Sequence, residues 1–204
     1  SAASDVYKRR AVSALLEGFA PAVIAPNPPP EATMVGSAVD VDARISRLAA
    51  DLSATSAGVS PETVTGIVRD SYTALARSAK TTRCLIPLTE RFTKQRLADI
   101  TRDRASAPPQ VLFICVANAG RSQLAAALTR HLSGGKVIAR SAGSTPAAGI
   151  NPNVAELIST LDGENVGELF PKPLTDDAIR AADVVITMGC GDVCPIVSGL
   201  RYED

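Results

Sequence analysis

The sequence of 204 residues has no tryptophan, three tyrosines, four phenylalanines and one histidine. Aromatics make up 3% of it while hydrophobic residues make up 46%, so alanine, valine, leucine and isoleucine must fill the core. Lysine plus arginine equals aspartate plus glutamate, at 21 each. A chain without net charge or a basic stripe gives no case for nucleic acid or an anionic membrane as partner. No apolar run reaches the roughly 18 residues that suggest a membrane span. Four cysteines are too few for a disulfide scaffold in a chain of this size. His131, expected on a helix surface, completes no Cys/His set with zinc spacing, so no metal site is expected.

What is present divides at Pro108-Pro109. Residues 5–20 read as an amphipathic helix, and a Pro-rich linker near 26–32 follows. A helix is predicted from about Asp42 to Gly58, with Ile45, Leu48, Ala49 and Leu52 at helical spacing. Ser60-Pro61-Glu62 places a capping serine, an N1 proline and a first-turn acid together, which predicts a helix to about Ala79. Another runs from about Pro87 to Arg104. Their apolar stripes predict a small helical bundle over 1–107. From 108 to 204, strand-like runs (Val111–Cys115, Lys136–Arg140, Asp183–Met188) alternate with helical ones (Gln123–Leu132, Ile150–Leu161, Asp176–Ala182). Such alternation predicts an α/β domain in three layers, a parallel sheet with helices on both faces.

The chemistry concentrates at the end of the first strand, in Cys115-Val-Ala-Asn-Ala-Gly-Arg121-Ser122. A strand, a short loop and a helix N-terminus form a natural anion cradle. Backbone N–H groups of Val116, Ala117, Asn118, Ala119, Gly120 and Arg121 can converge on an oxyanion. Asn118 and Gly120 tolerate the backbone angles a tight cradle needs. Arg121 offers a planar fork of donors to two oxygens. Cys115 is the candidate nucleophile, and the Ser122 hydroxyl can donate to its sulfur and favour the thiolate.

A second pair, Cys190 and Cys194, follows the last predicted strand. If the segment is one helical turn, positions i and i+4 face the same way, about 6 Å apart at Cα and within disulfide reach. The residues leave redox thiols, unremarkable thiols and, least favoured, a metal site as readings of this pair. Cys84 reads as a packing residue or incidental thiol.

The segments Phe113 to Gln123, Ser141-Ala-Gly143-Ser-Thr-Pro146, Pro171-Lys-Pro173-Leu-Thr175 and Asp183 to Cys190 resemble the low-molecular-weight protein tyrosine phosphatase fold, in its arsenate reductase branch. The resemblance covers roughly 109–204 and is closest to thioredoxin-coupled reductases with three cysteines in relay. It implies an enzyme with no bound cofactor, and the reactive-thiol reading requires a reducing compartment, so a cytoplasmic location is expected. It also implies arsenate as substrate, phosphate or sulfate as analogues, and thioredoxin as external reductant. In the implied relay Cys115 attacks arsenic, Cys190 attacks Cys115, and Cys194 resolves Cys190. A low-molecular-weight phosphatase with a redox-protective cysteine is the alternative. Two departures stand out: Ala126 takes the place of a glutamate that helps hold potassium, so that ion site is not expected, and only three residues separate Cys190 from Cys194. The family's Asp-Pro general acid is expected downstream of Asp204; otherwise the leaving-group proton comes from elsewhere.

Overall fold

The computed structural model describes residues 38–189 and 197–204, all within one compact unit. The expected helix at 5–20, the Pro-rich linker near 26–32, and Cys190 and Cys194 lie outside the described residues. Three helices come first: α1 (Ala38–Thr55), α2 (Pro61–Ala76) and α3 (Leu85–Ile100). The Ser60 hydroxyl accepts from the Thr63 N–H at 3.2 Å, so α2 starts where its capping serine predicts. Ile45, Leu48, Ala49 and Leu52 of α1 bury against Val64, Ile67 and Val68 of α2 and Leu97 of α3. Pro87 lies in the first turn of α3, where its missing N–H costs nothing.

The second layer set is β1 (Gln110–Cys115), α4 (Arg121–Ser133), β2 (Ile138–Gly143), α5 (Pro152–Ser159), α6 (Asp176–Ala181), β3 (Val184–Thr187) and β4 (Arg201–Glu203). All strands pair in parallel in the order β2-β1-β3-β4. Alternate residues of β1 serve opposite faces. Leu112 and Ile114 pack with Ala178 and Ile179 of α6, and Phe113 packs with Ala126 of α4. Helices therefore cover both faces, as the sequence alternation predicts. β2 begins at Ile138 and not at Lys136, because Gly134 closes α4 in the left-handed conformation (φ 56°) and the chain needs residues to turn back. β4 was not expected; three residues carry no readable period. Among the described residues, no helix is long and apolar enough to cross a membrane.

The connection after β1 leads to β2 on one side, and the chain later returns to β3 on the other. Cys115, the last residue of β1, thus sits at the switch point where open α/β sheets bind ligands.

The helices and the sheet are joined by Phe170, which buries with Leu75, Leu85 and Phe92, and by ion pairs. Arg96 reaches Asp177 at 2.8 Å and Asp70 at 2.6 Å. Arg102 and Arg104 both reach Asp183, at 2.7 and 2.9 Å.

Candidate active site

The loop between β1 and α4 is shaped by its own peptide planes. The carbonyls of Cys115, Val116, Ala117 and Ala119 accept from the N–H groups of Ser144, Thr145, Ala147 and Asn151, at 2.9–3.1 Å. In a trans peptide the N–H points opposite to the carbonyl of the same plane, and no described peptide bond is cis. The N–H groups of Val116, Ala117, Asn118 and Gly120 are therefore turned away from that segment, into the hollow of the loop. The Asn118 N–H shows the direction, since it donates to Cys115 Sγ at 3.2 Å.

The loop fits against β2 only because position 143 is glycine. A Cβ there would lie 2.6 Å from the Val116 carbonyl and 2.9 Å from Asn118. Asn118 takes φ 45°, a left-handed angle asparagine tolerates better than most residues. Gly120 has φ −144° and ψ −94°, outside the broad β and right-handed helical regions.

Side-chain polarity in the site follows from one anchored amide. Asn118 is fully buried, and its Oδ1 accepts from the Lys172 N–H at 2.7 Å and from Gln123 Nε2 at 2.9 Å. With the oxygen fixed by two donors, Nδ2 must point the other way, and it donates to Ser122 Oγ at 2.9 Å. That leaves the Ser122 hydroxyl proton free to donate to Cys115 Sγ, 2.9 Å away. Cys115 is 3% exposed, and its sulfur then receives two hydrogen bonds. Gln123 also donates to the Phe170 carbonyl at 2.8 Å, tying the loop to the segment after α5.

Arg121 opens α4 with an exposed side chain. Its Nη1 lies 2.7 Å from where a Cβ on Gly189 would stand (φ 71°), so a side chain at 189 would displace the guanidinium. Gly189 directly precedes Cys190. The structure thus brings Cys115, Arg121 and Ser122 together with the loop from Val116 to Gly120, while Cys190 and Cys194 are outside the described residues. Ala126 packs with Phe113 and Ala139, so this position offers apolar contact and no oxygen donor. Cys84 precedes α3 and is exposed, which makes it an incidental thiol and not a packing residue. His131 is exposed, as expected, with Nδ1 3.2 Å from the Asp162 carbonyl.

The parts the sequence reading missed lie behind the loop. The Asn118 and Gln123 side chains and Gly143 stand inside the motifs, but no local pattern marks their structural roles, and none marks Lys172. Its ammonium is buried, donates to the Phe170 carbonyl at 3.3 Å and sits 4.8 Å from that ring. Burial, followed by the charges of Arg130 and Arg140, pushes it down from 10.5 to about 7. The unfolded chain then holds a proton that the folded one has released between about pH 7 and 10.5. Stability is accordingly expected to rise with pH across that window, and Lys172→Met to remove most of the rise. Urea unfolding at pH 7 and pH 9 checks this; equal pH dependence in both proteins would refute it.

Comparison with known proteins agrees with this geometry. Residues 45–101 match the model of the protein-tyrosine-phosphatase-like N-terminal domain, and residues 110–198 match that of the low molecular weight phosphotyrosine protein phosphatases. The fold and the loop define the chain as a low-molecular-weight phosphatase-like protein with a helical domain in front. A solved thioredoxin-dependent arsenate reductase of Corynebacterium glutamicum is 52% identical, with a TM-score of 0.73, covering 78% of this chain and 82% of that one. The chain belongs to that family of arsenate reductases. A Halobacterium salinarum protein assigned as an arsenate reductase is 32% identical over 83 residues, 38% of this chain and 58% of that protein. The chain therefore spans less than two thirds of that relative's length.

Proposed function

We propose that this chain reduces arsenate to arsenite, with Cys115 as nucleophile, Cys190 and then Cys194 as resolving thiols, and thioredoxin as reductant. The observation that carries the reading is the Cys115 sulfur, held by two donors at the floor of a cradle of inward N–H groups. Arsenate has the shape and charge type of phosphate, so such a cradle accepts it. The Cys115 thiolate attacks arsenic, and a hydroxyl takes up a proton from solvent and leaves as water, giving an S–As(V) bond. Arg121 grips the oxyanion oxygens as charge develops on them. Cys190 then attacks Cys115 Sγ: an S–S bond forms, the S–As bond breaks, and its electron pair stays on arsenic, which departs as arsenite. Cys194 attacks Cys190, freeing Cys115, and an external dithiol reduces the Cys190–Cys194 disulfide by exchange.

Gly189 supports the second step. It seats the chain beside the Arg121 guanidinium one residue before Cys190. A free-thiol relay also requires a reducing compartment, in keeping with a cytoplasmic enzyme. Ester hydrolysis would need no second or third thiol.

The test is NADPH oxidation with arsenate, thioredoxin and thioredoxin reductase. Wild type is expected to turn over, and Cys115→Ser, Cys190→Ser and Cys194→Ser each to lose at least 100-fold, while Cys84→Ser behaves as wild type. Absence of arsenate-dependent oxidation, with aryl phosphate hydrolysis that survives Cys190→Ser, would overturn the relay and make the protein a phosphatase.

A further inference from the structure

Behind the catalytic loop, α3 and the α/β layer enclose an open cleft of about 910 Å³. Neither Cys115 nor Arg121 lines it. One wall is a single face of α3, residues 91, 94, 95 and 98, at helical spacing. The other comes from Gln123, the end of α4, β2 and the segment 162–172. Both parts of the protein are needed to make it.

Cations outnumber carboxylates in the lining of the cleft. Five cations line it: Arg91, Lys94, Arg130, Arg140 and Lys172. Three of them have carboxylate partners. Arg130 pairs with Glu164 at 2.5 Å, Arg140 with Asp99 at 3.1 Å, and Lys94 with Glu90 at 2.6 Å. Arg91 donates only to the Gly167 carbonyl, at 3.0 Å. Lys172 donates only to the Phe170 carbonyl, and the charges acting on it are those of Arg130 and Arg140. A buried ammonium with cations for neighbours is an expensive arrangement that a bound anion would relieve.

We infer that this cleft is a second anion site, one that takes a phosphate-bearing small molecule larger than inorganic phosphate. The volume exceeds what a lone oxyanion fills. Asp162 and Glu168 also line the cleft and oppose any anion, so the ligand is held where its oxygens face Arg91 and Lys172. Arginine forks favour phosphate, which they can grip through two oxygens at once. The site gives the helical domain a role in ligand binding that does not depend on the arsenate reading. The Phe170 carbonyl receives both Lys172 and Gln123, so an anion at Lys172 lies two contacts from the catalytic loop.

Calorimetric titration of the full chain tests the inference, with pyrophosphate and adenosine monophosphate as probes and citrate as the carboxylate comparison. In Arg121→Leu, where the catalytic loop has lost its grip, pyrophosphate is expected to bind at one remaining site. Adding Arg91→Glu and Lys94→Glu, both exposed, should weaken that binding at least tenfold; Lys172→Met should weaken it too. Adenosine monophosphate should bind the same site, since the cleft has room for more than the phosphate. No binding to Arg121→Leu, or binding that ignores the charge reversals, would overturn the proposal. Citrate binding as tightly as pyrophosphate would overturn its phosphate character.

Discussion

Asn118→Asp is expected to lower kcat/KM for arsenate by about 100- to 1000-fold, the range seen when one pre-set donor to a reacting centre is lost. The substitution is nearly isosteric and keeps an oxygen facing the Lys172 N–H and Gln123 Nε2. It loses the only donor this side chain offers, the Nδ2 that now bonds Ser122 Oγ at 2.9 Å. A carboxylate oxygen in its place accepts the Ser122 proton, so the hydroxyl turns from Cys115 Sγ toward position 118. The sulfur loses one of its two donors and gains a negative neighbour in a fully buried site. The readouts separate this from simple unfolding. Alkylation of the Cys115 peptide by iodoacetamide, followed by mass spectrometry at neutral pH, should slow by a similar factor. Ser122→Ala should also slow it, since it removes the same hydrogen bond without adding charge, and by less than Asn118→Asp. If Asn118→Asp keeps alkylation at the wild-type rate, the amide does not orient the hydroxyl.

The catalytic loop was legible in the sequence because its chemistry is contiguous: Cys115, Arg121 and Ser122 lie within eight residues, and a strand and a helix show their own periods on either side. The Ser60 cap and the α1 stripe at Ile45, Leu48, Ala49 and Leu52 were legible for the same local reason. What supports the loop was not. Asn118 Oδ1 meets a backbone N–H 54 residues away, and Gln123 reaches a carbonyl 47 residues away. Gly143 matters through the space it leaves for Val116, a contact made only once β2 lies beside β1. Lys172 reads in sequence as one more surface lysine between two prolines; only the closing of α4, β2 and the 160s segment around it makes it buried. The ion pairs joining bundle to sheet span about 80 positions, as with Arg96 to Asp177, and carry no sequence period.

Arg96→Met should cost about 3 kcal/mol of stability, the low end of the range for removing one partner of a buried pair. Arg96 is 8% exposed and lies against the Phe92 ring at 5.7 Å. Burial alone would lower its proton affinity, but the bonds and charges of Asp177 and then Asp70 win, and the guanidinium is held more firmly protonated than usual. The arm to Asp70 counts for little, since that carboxylate is 64% exposed. The arm to Asp177 decides the outcome, because that side chain is only 13% exposed and takes both Nε and Nη2. Methionine fills the volume but leaves the Asp177 carboxylate with the Thr175 hydroxyl as its remaining side-chain donor. The melting temperature should fall by about 6–12 °C for a domain of this size. The double variant Arg96→Met with Asp177→Leu should recover part of the loss, because removing both partners strands no charge. A single variant within 0.5 kcal/mol of wild type would mean that Phe170 and the neighbouring Arg102 and Arg104 pairs hold the helices without Arg96. A double variant no better than the single would mean that the loss came from the Arg96 bond to buried Ser71 or its packing on Phe92 and not from the stranded carboxylate.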